Sequence, residues 1–233
     1  MFRPFLNKLV NKLARAIADH LERRELHPKR LMLMDAQVET VAYIRSNMPE
    51  AMIFDRREEV LDLAIQRMPT KGSILEFGVA GGDSIRYIAS KTHRTVHGFD
   101  SFRGLPEDWP GRHELRGHYS TEGHVPSVPS NVVLHEGWFE QTLPLFLEAN
   151  PDPAAMIHVD CDLYSATKTL LEALSDRLTK NTIIVFDEYF NFVGWRNHEF
   201  RAFQEFITDK HLNYRYLAWS YQQVMVIIED GAS

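Results

Sequence analysis

From Gly72 onward the chain alternates short apolar runs with helical stretches, and each run leads into a glycine or an acid. Ile74–Phe77 runs into Gly78, Thr95–Phe99 into Asp100, Val132–His135 toward Gly137, Ala155–Val159 into Asp160 and Thr182–Phe186 into Asp187. Between them lie helical patterns through Ser90, over Phe139–Ala149, over Leu163–Leu178, and through Phe200, Phe203, Phe206 and Ile207. Strands that alternate with helices form a parallel sheet covered on both faces. Tyr214–Trp219 and Gln223–Ile228 flank a tight turn and add an antiparallel edge. The expectation is an α/β fold: a Rossmann-like, seven-stranded, mostly parallel sheet with an antiparallel C-terminal hairpin and helices on both faces.

Residues 1–71 read differently. Phe2, Phe5, Leu6, Leu9, Val10, Leu13, Ile17 and Leu21 recur at helical spacing, with Lys8, Lys12, Arg15, Arg23 and Arg24 among them. Such a helix suits a membrane surface or a partner. More commonly it packs on its own domain or on a second subunit, and that reading is adopted. His27-Pro28 should end it; helices over Asp35–Asn47 and Arg56–Arg67 follow, before the breakers around Pro69 and Gly72. Residues 1–71 are therefore a helical extension, a lid or an oligomerisation element, and 72–233 the main domain. Residues 103–130, rich in Pro, Gly, His and charge, read as a long binding loop.

Charge narrows the function classes. Residues 1–34 hold eight Lys/Arg and three Asp/Glu, a net +5, so the rest of a chain of net −6 carries −11. An acidic body is a poor partner for nucleic acid. No apolar run approaches the ~18 residues of a membrane span. The single cysteine, Cys161, forms no intramolecular disulfide and suits a reducing compartment, so a soluble cytoplasmic protein is expected.

In an open parallel sheet the ligand lies beyond the carboxyl ends of the strands. The turn Gly78-Val79-Ala80-Gly81-Gly82 permits close backbone approach to a ligand, or serves only as a tight strand-to-helix turn. Ala80 breaks the dinucleotide pattern G-x-G-x-x-G, which counts against a nucleotide-dependent oxidoreductase. Asp100, closing the next strand, is placed to accept two ribose hydroxyls. Strands four and five are neighbours in this topology, so Asp160, Asp162, Asp187 and Glu188 would converge in one cleft, unless they are loop acids that never meet. Converging like charges repel by several kcal/mol in a partly desolvated site. Oxygen donors suit Mg²⁺, Mn²⁺ or Ca²⁺, and the lack of a Cys/His set disfavours Zn²⁺. Alternation turns Cys161 toward packing; His158 reads as a core histidine, and His113, His118 and His124 as solvated loop residues.

Several stretches resemble the class I S-adenosylmethionine (SAM)-dependent O-methyltransferases, specifically the metal-dependent branch related to macrocin O-methyltransferase and other antibiotic sugar O-methyltransferases. They are Leu75–Val79 with Gly82 and Ser84-Ile85, Gly98–Phe102 with Gly104-Leu105-Pro106, Gly137-Trp138-Phe139, His158–Ser165 and Phe186–Tyr189. The resemblance implies that Glu76, Gly78 and Gly82 line the methionine part of SAM and that Asp100 holds the ribose. It puts Gly137, Trp138 and Phe139 beside the adenine, with Ser84 and Ser101 in the same cofactor-binding set. It makes Asp160, Asp187 and Glu188 the ligands of Mg²⁺ or Mn²⁺, with Asp160 and Asp162 catalytic and Asp162 the candidate general base. Glu188 departs from the Asp or Asn usual there. The implied activity is O-methylation of a small molecule with vicinal oxygens, such as a sugar diol of a natural product. The apolar N-terminal helix, apart from the resemblance, points to a homo-oligomer joined through the N-terminal helices. The alternatives are a hydroxylase-like or oxidoreductase enzyme on the same fold, or a non-catalytic binding protein.

Overall fold

The computed structural model describes the backbone of residues 3–229 and the side chains of residues 8–229. Phe2 lies outside the described residues, and the side chains of Phe5 and Leu6 are not described. Helix α1 (Arg3–Glu25) is followed by α2 (Pro28–Asn47), the short strand β1 (Met52–Ile53) and α3 (Arg57–Arg67). Then come β2 (Ser73–Phe77), α4 (Asp83–Ser90), β3 (Val96–Asp100), β4 (Val132–Glu136), α5 (Phe139–Ala149), β5 (Ala154–Val159) and α6 (Tyr164–Ala173). The chain closes with β6 (Ile183–Phe186), α7 (Glu199–Lys210), β7 (Tyr214–Trp219) and β8 (Val224–Ile228).

The sheet order is β1-β7-β8-β6-β5-β2-β3-β4, and only β8 runs antiparallel to its neighbours. The described sheet thus has eight strands rather than seven. The extra one, β1, is two residues pairing with Ala218 and Trp219, too short to show a period. The central strands are buried on both faces, so they read as apolar runs rather than alternating ones. One core, with Phe77, Phe99, Phe186 and Phe203, lies under α5, α6 and α7; the other, with Val60, Leu61, Ile85 and Ile88, lies under α3 and α4.

Two N-terminal expectations change. His27-Pro28 does end α1, and it also starts α2: Pro28 takes a first-turn position, where no backbone N–H is needed, and His27 Nδ1 accepts the Lys29 N–H. The helix expected from Asp35 therefore begins at Pro28. Helix α1 does not pack on its own domain: Leu9, Leu13, Ile17 and Leu21 are exposed. Helix α2 does dock, through buried Ala36 and Thr40 and a 2.6 Å hydrogen bond between the Tyr43 and Tyr216 hydroxyls. The expected helix Leu163–Leu178 is shorter, because α6 stops at Ala173 and a single 3-10 turn spans Ser175–Arg177. No described helix is long and apolar enough to cross a membrane.

Candidate active site

A cavity of about 530 Å³ opens at the carboxyl ends of β2, β3, β5 and β6. One wall is the turn after β2. Gly78 has φ 92° and sits against β5 so closely that a Cβ there would lie 1.7 Å from the Asp160 carbonyl oxygen. Ala80, standing where a glycine is usual, adopts φ 45°. Asp100 accounts for that strained turn: its Oδ2 accepts the N–H groups of Val79 and Ala80, each at 2.7 Å. Its Oδ1 accepts Phe102 N–H at 2.7 Å. The carboxylate faces the cavity but devotes three of its roughly four acceptor positions to the backbone.

Gly78, Asp100, Ser101, Gly137, Trp138 and Phe139 line this half of the cavity. Glu76, Gly82 and Ser84 do not. Glu76 is fully buried, accepting Ser84 Oγ–H at 2.8 Å and lying 3.3 Å from His158 Nδ1. Gly82 is the left-handed N-cap of α4. These three support the turn from behind.

The opposite wall is acidic. Asp160, Asp162, Asp187 and Glu188 all reach it. Asp162 adopts φ 64°, in the sharp turn between β5 and α6. Donor atoms of Asp160, Asp162 and Glu188 lie within 4.8 Å of one another, as do those of His158, Asp160 and Asp187. Asp187 and Glu188 thus fall in separate clusters that share Asp160. Burial and the neighbouring Asp187 charge push Asp160 and Glu188 well above the ordinary carboxylate range and Asp162 up to about 7. Asp187 is the exception. Burial opposes its charge too, but His158 and Arg57 outweigh that and hold its pKa low.

Three contributors escape the sequence reading. Arg57, in the first turn of α3, brings a guanidinium nitrogen 3.5 Å from Asp187 Oδ2. Glu199, fully buried at the start of α7, accepts Glu188 N–H at 3.1 Å and fixes the backbone of that residue. Tyr119 lines the cavity from the long loop, and burial with Asp162 and Glu114 pushes its hydroxyl up to about 12. None sits in a motif; tertiary packing alone brings them here. His113, His118 and His124 do not reach the wall. Cys161 does, but it is buried, packed near Thr167, and held protonated by burial and Glu199, so it is no nucleophile.

The long loop is pinned. Trp109 is buried against Phe192 and His198. Arg112 lies 4.3 Å over the Trp109 ring and donates to both oxygens of Glu114, whose carboxyl is held down to about 2, first by that pairing. Ser165 Oγ–H donates to Glu107 at 2.6 Å, tying the loop to α6. The result is a cavity with a glycine-bordered half, where Asp100 and Glu140 are its acids, and a half walled by Asp160, Asp162, Asp187 and Glu188.

Comparison with known proteins agrees. A family model described as a methyltransferase domain matches residues 75–189. The crystal structure of CalS11, a calicheamicin methyltransferase, is 26% identical, covers 86% of this chain and 90% of its own, and superposes with a TM-score of 0.62. An apo structure of CalS11, named there as a TDP-rhamnose 3'-O-methyltransferase of calicheamicin biosynthesis, gives 27% identity, 80% and 86% coverage and a TM-score of 0.54. The O-methyltransferase NovP shares the fold at 19% identity, with 75% and 79% coverage and a TM-score of 0.58. Comparison with curated proteins finds no match. With its glycine turn and its acidic strand ends, the chain carries a methyltransferase domain over residues 75–189 and is similar to a SAM-dependent O-methyltransferase of calicheamicin biosynthesis.

Proposed function

We propose that this enzyme methylates a hydroxyl that has a second oxygen beside it, as in a sugar diol of a natural product, with a divalent ion, Mg²⁺ or Mn²⁺, at the acidic wall. The observation that carries the reading is one cavity with a glycine-bordered half, its Asp100 carboxylate engaged by the backbone, beside a half where four carboxylates converge. The donors suit such an ion, and Asp187 Oδ1 and Glu188 Oε2 are buried with no hydrogen-bond partner. Asp160, with Asp187 and Glu188, would hold the ion.

SAM supplies an electrophilic methyl group, and a bound dication makes an adjacent hydroxyl more acidic and orients it. The remaining work falls to the chain. Asp100 holds the glycine turn, and with Ser101, Trp138 and Phe139 forms the cofactor wall. Asp162 takes the proton that the acceptor hydroxyl releases. Tyr119, Leu105 and Pro106 cover the acceptor side and exclude water. The exposed apolar stripe of α1 joins two copies of the chain, an arrangement that light scattering on the chain with and without residues 1–26 tests. We place the enzyme in the cytoplasm, in keeping with its lone, reduced cysteine.

The test is transfer of labelled methyl from SAM to a panel of nucleotide sugars, glycosides and catechols, with and without EDTA. Transfer to a vicinal-oxygen acceptor that EDTA stops and Mg²⁺ or Mn²⁺ restores supports the reading. Transfer only to acceptors with an isolated hydroxyl, unaffected by EDTA, refutes it.

A further inference from the structure

His158 is 1% exposed and lies two residues before Asp160 on β5. Parallel pairing aligns it with Glu76 on β2 and Val185 on β6, so Glu76, His158, Asp160 and Asp187 all close the same face of the sheet, beneath Arg57. Its two ring nitrogens have different surroundings. Nδ1 faces Glu76 Oε2 at 3.3 Å. Nε2 has no hydrogen-bond partner, and neither has Asp187 Oδ1, 3.7 Å away. Without an ion, burial opposes a charge on the ring, but Asp187 and Glu76 outweigh it and favour the imidazolium. Even so, Nε2 and Asp187 Oδ1 stand beyond hydrogen-bond length, and one ring nitrogen of His158, one oxygen of Asp160 and one of Asp187 lie within 4.8 Å of one another.

That spacing suits a shared ion. Ligand atoms about 2.1 Å from one metal lie roughly 3.0 Å apart at right angles, about 3.4 Å apart in a tetrahedron, and about 4.2 Å apart when opposite. A histidine whose second nitrogen is held by a carboxylate is the usual arrangement behind a metal-bound imidazole, because the carboxylate fixes the tautomer. Glu76 supplies it. Arg57 occupies the other oxygen of Asp187 and leaves Oδ1 free. Charge agrees: once an ion takes the place of the ring proton, the carboxylates of Glu76, Asp160 and Asp187 are balanced by one guanidinium and one dication.

We propose that His158 Nε2 is a nitrogen ligand of the divalent ion, beside Asp160 and Asp187, and that this donor set selects Mn²⁺ over Mg²⁺. The inference rests on the metal-dependent reading above and sharpens it. Mg²⁺ takes oxygen ligands and gives up water reluctantly, whereas first-row transition ions accept imidazole. Glu76 becomes a positioning residue, acting on the ion through His158.

The test uses the full chain, stripped with EDTA and titrated with Mn²⁺, read by electron paramagnetic resonance and its spin-echo modulation. The proposal expects imidazole-nitrogen modulation on bound Mn²⁺, tighter binding of Mn²⁺ than of Mg²⁺, and loss of the modulation in His158→Gln with roughly ten- to hundredfold weaker Mn²⁺ binding. The wild-type spectrum decides the matter even where His158→Gln fails to fold. Bound Mn²⁺ without nitrogen modulation, with Mg²⁺ held equally well, overturns the histidine ligand and leaves the carboxylate-held ion standing. No bound Mn²⁺ or Mg²⁺, with methyl transfer indifferent to EDTA, overturns both.

Discussion

Replacing Gly78 by alanine tests the geometry on which both halves of the cavity depend. A Cβ at this position would lie 1.7 Å from the Asp160 carbonyl oxygen and 2.7 Å from its carbon. Both are backbone atoms of the residue that follows β5, and neither can rotate away. The φ of 92° adds a conformation that L-residues avoid. Backbone strain of this kind costs about 1–3 kcal/mol, and forcing packed elements apart about 1–3 kcal/mol. The midpoints give about 4 kcal/mol, a large part of the 5–15 kcal/mol typical of a folded domain. For a chain of this length that corresponds to a melting temperature lower by roughly 8–16 °C. The displaced atoms belong to Asp160, so SAM affinity and ion affinity should fall together. Gly81→Ala is the control: its Cβ would meet nothing within 4 Å, and it should melt within about 2 °C of wild type. Thermal unfolding followed by circular dichroism decides. If Gly78→Ala melts within 2 °C of the parent, the close approach of β2 to β5 does not hold the site together and the reasoning fails.

Other outcomes follow from the same geometry. Asp162→Asn should lower kcat by about 10²–10⁴-fold with SAM affinity unchanged, as expected for a proton acceptor; an equal loss of SAM binding would make Asp162 structural instead. Cys161→Ala should keep kcat within about twofold, because nucleophilic catalysis needs a thiolate and this thiol is held protonated; abolished turnover in a folded variant would reverse that. The His97 pKa is held down to about 4 by burial and by His135. The folded state therefore refuses a proton that the unfolded chain takes at about 6.5, so this stability is full above that pH and drains away as pH falls toward 4. With the ring half exposed, the effect is discounted to about 1–2 kcal/mol. Urea midpoints between pH 7 and 4.5 should fall less steeply in His97→Gln, and an unchanged slope would contradict the assignment.

The strand ends were legible because a parallel sheet gathers them at one edge, whatever the loops do. Gly78, Asp100, Trp138 and Asp160 therefore arrive together on sequence reasoning alone. The orientation of each side chain was less accessible. Glu76 lies in the resembling stretch Leu75–Val79, yet the pleat turns it away from the cavity toward Ser84 and His158. Arg57 and Glu199 open helices, and only the packing of α3 and α7 against the sheet brings them to the acids. His158 reads as apolar-strand filler until its neighbours on β2 and β6 are known. Strand β1 has no period at all. Helix α1 carries a readable apolar stripe, but the stripe does not say which surface covers it.

The central claim is that this cavity binds SAM against the Asp100-held turn. Calorimetric titration of SAM into the purified protein tests it most directly, with Asp100→Ala alongside. The account predicts micromolar binding, roughly −8 kcal/mol, weakened at least tenfold in the variant, which leaves the Val79 and Ala80 N–H groups without their carboxylate. Absence of SAM binding to the wild-type protein, with or without a divalent ion, would contradict it.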